Sequence, residues 1–410
     1  MSEQKAQRSF RINEHIVLKL EEGKTVIYVD GEPFRQCRYL LLVDPEQTID
    51  TEIDSIDEAA YYMSQKLERR GFHSITLEDV GLSAEQEFLG HCSNLHAWAE
   101  HEYDTRLLHS NLAFPLLKTL AERGDPIAKK RFAEEIVKRF RSGVRTIQDF
   151  LIEEEYLDHL TEEELGVLLG EEAPLYFRLQ SVIGKPIDIS ASSLHAPNTI
   201  LLRDEKMVGL RLSENTAKAI PEVIGEFEHL GQIIMRPHLT EIPPWIFTME
   251  RLRTLDLHYN HIGGAIHIDG APYLEELSLS NNQIEEFTLR NAPHLKKLSL
   301  SINQLRKVEL DNVPNLIDLS VSNNNLNEIN VNHLPNLRKL VLSKNPMIKW
   351  PKGFNSLKYL RDLSFWSTQI SDLNPLLNFE HLQKVKPPKS LIEQEEKTVS
   401  KLKQKEIDVF

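Results

Sequence analysis

LRTLDLHYNHI (252–262), LEELSLSNNQI (274–284), LKKLSLSINQL (295–305), LIDLSVSNNNL (316–326) and LRKLVLSKNPM (337–347) are consecutive copies of one pattern. Apolar residues hold the first, fourth and sixth places and asparagine the ninth, and five adjacent matches make chance a poor explanation. Extending the register outward gives copies that start at 207, 230, 252, 274, 295, 316, 337 and 360, with a period of 21 to 23 residues. A unit this short cannot cover its own apolar side, so stacked neighbours must do it. The ninth places form a ladder of Asn215, Asn260, Asn282, Asn303, Asn324 and Asn345. An amide suits such a place because it donates and accepts at once, where a buried turn leaves backbone groups unpaired.

The pattern resembles that of leucine-rich-repeat proteins over about 207–382, nearly half the chain. The resemblance implies a solenoid in which each copy gives a strand and a turn, the leucines stack inward, and parallel strands line a concave face. Two copies depart from it: LGQIIMRPHL (230–239) is one residue short around Pro237, and LRDLSFWSTQI (360–370) carries Thr368 at the asparagine place. The outer arms EEFTLRNAPHL (285–295), RKVELDNVPNL (306–316) and NEINVNHLPNL (327–337) alternate apolar and polar residues and then reach proline. They predict extended segments rather than long helices on the convex side. A half-copy, ISDLNPLLNFEHLQKV (370–385), is placed as the far cap.

Upstream, HIVLKL (15–20), TVIYV (25–29) and FRQCRYLLL (34–42) are split by Glu22-Gly23 and Asp30-Gly31, which predicts an antiparallel β-meander. Seven carboxylates and no basic residue between Asp44 and Glu58 read as a solvated linker. Helices are predicted over about 56–183, with starts at Ser83 and at Asp125-Pro126, where an N-cap acceptor precedes a proline pre-set for the first helical position. In the second, Ala128, Phe132, Ile136 and Phe140 form the buried stripe, Gly143 ends it, and Lys129, Lys130, Arg131, Lys138, Arg139 and Arg141 lie outside it, as a solvated face or a phosphate contact. After Pro387-Pro388 the chain is charged, and Ser390 with Glu393 reads as a capping box. The fold class is therefore α+β: a meander at 1–45, a helical domain at 46–185, the solenoid at 186–385 and a charged tail at 386–410.

With 62 acidic against 48 basic residues the net charge is −14, which disfavours a broad grip on nucleic acid or anionic lipid. MSEQKAQRSF lacks the apolar core of a secretory signal, and the longest apolar run, Tyr39–Val43, is far too short to span a bilayer. Cys37 and Cys92 read as reduced thiols, and a cytoplasmic location is expected. No Walker loop, GxSxG, HExxH or paired CxxC motif is present. One stretch, GHCSNLHAWAEHEYDTRLLH (90–109), gathers four histidines and one cysteine, with Cys92, His96 and Glu100 spaced four apart. Three readings follow: inward packing of Cys92, Leu95 and Trp98 with a polar network at the helix end, a partial zinc site, or a thiol nucleophile with a histidine base. Together with NLAFPLLKTLAERGDPIAKKRF (111–132) and FLIEEEYLDHLTEEEL (150–165), the stretch resembles the N-terminal region of archaeal leucine-rich-repeat proteins, over about 10–170. That resemblance implies a prokaryotic cytoplasm and supplies no functional residue.

The first functional hypothesis is a protein-interaction scaffold that holds a protein partner on the concave face, with no cofactor, no metal and no small-molecule substrate inferred. Two lanes point into the concavity: Asp256, Ser278, Ser299, Ser320, Val341 and Ser364, then His258, Ser280, Ser301, Ser322, Ser343 and Trp366. Beside them Tyr259, Asn281, Ile302, Asn323 and Lys344 are larger candidate anchors, with Tyr259 and Trp366 foremost because aromatic side chains dominate interface energetics. The alternative is a metal- or thiol-dependent hydrolase in the helical domain, with the repeats recruiting its substrate.

Overall fold

A computed structural model describes residues 8–34, 83–190, 193–204, 206–213 and 219–410. Cys37, most of the third meander run, the acidic segment 44–58 and Asn215 lie outside the described residues. Two compact units emerge, one from 1–147 with 154–168 and the other from 148–153 with 169–410.

In the first unit, β1 (Arg8–Arg11), β2 (Ile16–Glu21), β3 (Lys24–Val29) and β4 (Glu32–Phe34) pair antiparallel in sequence order. The two hairpins turn at Glu22-Gly23 and Asp30-Gly31, all four residues with positive φ, the geometry whose twist matches that of the strands. Ile16, Leu18, Ile27 and Val29 are buried, and the helix α1 (Ala84–Glu100) contacts β2 and β3. Ser83 caps α1 in a reciprocal box with Gln86. Further on, α2 (Ser110–Glu122) packs on α3 (Pro126–Phe140), whose N-cap Asp125 accepts from the Ile127 and Ala128 N–H groups at 2.9 and 3.0 Å. The stripe Ala128, Phe132, Ile136 and Phe140 is buried. Three of the basic residues outside it are ion-paired, Arg131 with Glu102 and Glu134, and Lys138 and Arg139 with Glu135.

The second unit contains a twelve-stranded sheet among the described residues. Its edge is β5 (Asp188–Ser190), followed by β6 (Thr199–Arg203), which lies antiparallel to β7 (Lys206–Leu212). From β7 the sheet runs parallel through β8 (Gln232–Met235) and β9 (Thr254–Asp256). The outer strands β10 (Gly263–Asp269), β12 (Gln283–Arg290) and β14 (Lys307–Asp311) form a separate parallel sheet, as the alternation in two of the arms predicts. Between them in the chain, β11 (Glu276–Ser278) and β13 (Lys297–Ser299) extend the long sheet, which goes on through β15 (Asp318–Ser320), β16 (Lys339–Val341), β17 (Asp362–Ser364) and β18 (Lys384–Lys386). The third arm, 327–337, makes only a single bridge, Asn330 to Lys352. Elsewhere short 3-10 turns such as Glu222–Glu226, Pro244–Thr248 and Phe354–Ser356 take the outer position.

Every first, fourth and sixth place of the eight copies, from Met207, Leu210 and Leu212 to Leu360, Leu363 and Phe365, is buried to 3% exposure or less. Each such side chain contributes on the order of 2 kcal/mol through burial. The ninth-place amides tie the copies together. Asn324 Oδ1 accepts from Leu305 N at 3.0 Å, while Nδ2 donates to Leu300 O of the preceding copy and Val321 O of its own, each at 3.0 Å. Asn260, Asn282, Asn303 and Asn345 repeat the arrangement. Thr368 makes one contact of the kind, to Phe365 O. In the short second copy Leu239 N reaches Asn260 Oδ1 just as Ile262 N reaches Asn282 Oδ1, so the missing residue falls in the turn around Pro237.

The C-terminal residues differ from the expected capping box. Pro388, not Ser390, stands at the N-cap of α4 (Lys389–Gln394), with no side-chain cap bond, because the proline pair starts the helix early and leaves Ser390 inside it. With α5 (Glu396–Gln404) and β19 (Asp408–Val409), this charged segment closes the sheet: Leu391, Val399, Leu402 and Ile407 are buried, and β19 pairs with β18.

The ladder predicts unequal losses on truncation. Asn324→Ala is expected to cost about 2–3 kcal/mol in urea unfolding, because one N–H and two carbonyls lose their partner, and Thr368→Ala about 1 kcal/mol or less. Equal losses would contradict the ladder's structural role.

Candidate functional site

Side chains on the face of the long sheet opposite the leucines stand in register. Asp256, Ser278, Ser299, Ser320, Val341 and Ser364 pair across successive strands, and Lys386 continues the row. From Asp256 to Ser364 the residues of the row are half-buried, and Lys386 is exposed. The second lane is fastened to the first. Ser280 Oγ lies 2.7 Å from Ser299 Oγ, Ser301 Oγ 2.7 Å from Ser320 Oγ, and Ser343 Oγ 2.8 Å from Ser364 Oγ, so these three seventh-place hydroxyls meet the fifth-place hydroxyl of the next copy. Ser322 faces Val341 at that position and donates to Ser301 instead, at 3.0 Å.

At the N-terminal end of the lanes, Asp256 Oδ1 lies 2.5 Å from His258 Nδ1 and accepts from His258 N at 3.2 Å. Burial pushes the Asp256 carboxyl up, but the hydrogen bond and charge of His258, with a further bond from Ser278, outweigh it and hold the group below its ordinary value. At the other end Trp366 is half-buried, with Lys344 Nζ 5.0 Å and Lys386 Nζ 5.6 Å from its ring centroid.

The eighth places all take the left-handed conformation: Tyr259, Asn281, Ile302, Asn323 and Lys344 have φ between 55° and 59°. Asparagine tolerates it, whereas a β-branched residue there is strained by about 1–2 kcal/mol. Tyr259 nevertheless exposes 58% of its surface and Ile302 47%. Tyr259 rests against His258, ring centroids 5.1 Å apart.

A third lane was missed in the sequence reading. Glu276, Lys297, Asp318, Lys339, Asp362, Lys384 and Asp408 follow one another across the strands with alternating charge. Lys297 pairs with Glu276 at 2.5 Å and Lys339 with Asp318 at 2.8 Å. Its signal was present in the third place of the five copies from 274 onward. The first and third lanes, through Asp256, Ser278, Ser299 and Ser320 and through Glu276, Lys297, Asp318 and Lys339, line a shallow groove of about 440 Å³.

The histidine-rich stretch divides between core and surface. Cys92 is 3% exposed beside buried Leu95 and Trp98, and burial pushes its thiol up to about 11. His96 and Glu100 are exposed and pair with each other at 3.3 Å, while buried His91 lies 3.4 Å from Glu87. Among the described residues no three of His, Cys, Asp and Glu converge to hold a metal ion. The helix end is pinned by Tyr103, which donates to Asp125 at 2.5 Å and accepts from Asn13 at 2.8 Å.

A family model described as the LRR repeats of an FBD-associated F-box protein matches residues 225–360. This part of the chain is made of leucine-rich repeats. The match does not reach the stretch 10–170, and the archaeal resemblance expected there is not shown. Among solved structures, the repeats bring similarity to a leucine-rich-repeat protein of Leptospira interrogans, at 17% identity over 50% of this chain and 72% of that one, TM-score 0.26. Internalin C2 of Listeria monocytogenes is similar at 21% identity over 52% and 92%, TM-score 0.35. InlP of the same species is similar at 20% over 57% and 67%, TM-score 0.37. A comparison with curated proteins found no match. No helix among the described residues is long and apolar enough to cross a membrane.

Two measurements follow. The folded Asp256 carboxyl lies below the unfolded value near 3.8, so its contribution is present above that pH and lost as the pH falls through the folded value. The stability difference between the native chain and Asp256→Asn should therefore shrink on acidification from about pH 6 to about pH 3; a constant difference contradicts the pairing. In mass-mapped maleimide labelling at pH 8, native Cys92 should react at least about a hundredfold more slowly than in the unfolded chain, because the thiolate is the reactive form.

Proposed function

We propose that the chain is a protein-interaction scaffold whose leucine-rich repeats hold a protein partner on the concave, lane-bearing face. Leucine-rich repeats support an interaction role in general. The observation that carries the specific face is the eighth-place row, where Tyr259 and Ile302 keep large apolar side chains in water on a left-handed backbone. Both features are unfavourable in the isolated chain, and strain retained at an exposed position points to use. A partner that covers Tyr259 and Ile302 recovers their apolar burial, while the flat serine lanes let its backbone approach closely. Because the hydroxyls already satisfy one another, the lanes supply fit more than affinity, and the anchors are Tyr259, Ile302 and Trp366.

The test is affinity capture from the native host followed by binding with purified variants. Tyr259→Ala with Trp366→Ala should weaken the captured partner by at least about 2 kcal/mol with folding intact. Ser299→Arg with Ser320→Arg should block it by bulk. A partner that binds both variants as it binds the native chain is not using this face. Separately, Ile302→Asn should raise stability by about 1 kcal/mol in urea unfolding while weakening the partner, since relief of strain and loss of an anchor act in opposite directions.

A further inference from the structure

On and beside the lane-bearing face, three lysines are paired with carboxylates of the preceding copy. Lys296 pairs with Glu275 at 2.6 Å, Lys297 with Glu276 and Lys339 with Asp318. Lys344 and Lys386 are different. Neither reaches a carboxylate among the described residues, although acidic residues outnumber basic ones by 62 to 48. Instead both ammonium groups face one indole, that of Trp366, at 5.0 and 5.6 Å. Three successive strands of the sheet position one residue each: Lys344 in the turn after β16, Trp366 in the turn after β17, and Lys386 in β18 itself.

The indole attracts each cation, and since neither ammonium has a carboxylate partner among the described residues, a bound anion neutralises charge that the chain leaves uncompensated. Ser343 and Ser364, with hydroxyls 2.8 Å apart, lie alongside as neutral donors and acceptors.

We propose that Lys344, Trp366 and Lys386 form a clamp for an anionic side chain, a carboxylate or a phosphate monoester, carried on an extended peptide segment of the partner. The clamp rests on the reading of this face as the binding face and names the chemistry it selects at one end. A single anion matches two cations, whereas a nucleic acid or a lipid surface would also bring its charges against Asp318 and Asp362 and against the chain's net charge of −14. The same net charge suppresses adventitious binding of acidic peptides, so a local site stands out.

The experiment uses the full chain and fluorescence anisotropy with four labelled probes: a glutamate-containing peptide, the same peptide with one phosphoserine in place of the glutamates, its glutamine counterpart and a single-stranded oligonucleotide. The two anionic peptides should bind and the glutamine peptide should not; a tighter phosphoserine peptide assigns the anion as phosphate, and equal binding admits carboxylate. Lys344→Gln with Lys386→Gln should weaken binding at least about tenfold, Lys344→Arg with Lys386→Arg should retain it, and Lys296→Gln with Lys297→Gln should change it less than about twofold. If the glutamine pair does not fold, raising salt to about 0.5 M should weaken binding to the native chain by a similar factor. Equal affinity for the native chain and the glutamine pair, or preference for the oligonucleotide, overturns the clamp. If the captured partner ignores the clamp variants but is blocked by Ser299→Arg with Ser320→Arg, the clamp fails while the binding face stands. If acidic peptides need the lysines but the captured partner is not blocked, the clamp stands and the binding face fails.

Discussion

The ninth-place amide is the interaction on which the second unit depends. A turn that leaves the sheet at every copy exposes carbonyls and N–H groups to an interior that offers no water, and an unpaired buried group there is costly. Asparagine answers with an oxygen toward one N–H and a nitrogen toward carbonyls of two successive copies. That bond does more than satisfy polar groups. It fixes the distance from one turn to the next, so the strands arrive in register and the leucines stack. Where the amide is missing the repeat is altered: the copy at 230 shortens its turn, and the copy at 360 makes do with one threonine bond near the closing cap.

Register then determines what the open face can be. Once strands pair without slippage, the fifth, seventh and third places become continuous rows, and neighbours that are 21 residues apart in the chain become contacts. Hydroxyls join into pairs, and the alternating charges of the third row include two ion pairs. What is left over is informative: an exposed tyrosine and isoleucine on strained backbone, and two lysines at one indole. The left-handed eighth place follows from the same turn. The backbone must reverse before the amide can reach back, so whatever residue stands there is lifted out of the sheet plane.

In the N-terminal unit, equal spacing misled. Residues four apart on a helix drift by about 40° per step, so Cys92 and Glu100 end about 80° apart. That angle is enough to put the thiol in the core and the carboxylate in water, with His96 on the exposed side. Burial then raises the thiol, which removes the thiolate that a nucleophile needs. The polar network at the end of the same helix runs through Tyr103, a residue that periodicity marks only as apolar, because its hydroxyl meets Asp125 and Asn13 from distant parts of the chain.

Local signals were legible wherever the physics is local. The hairpins at Glu22-Gly23 and Asp30-Gly31, the caps at Ser83 and Asp125, the buried stripe of the helix 126–140 and the leucine places each depend on a few consecutive residues or on one period, and the sequence alone determined them. The alternating third lane was equally present in the letters, as Glu276, Lys297, Asp318 and Lys339, but its meaning needs strands side by side. The same holds for the serine pairs, the lysines over Trp366 and the closure of the sheet by residues 389–409. Those features join residues 19 to 42 positions apart or more, and only the tertiary structure decided them, because a side chain's partner is set by which strand the fold brings next to it and not by its neighbours in the chain.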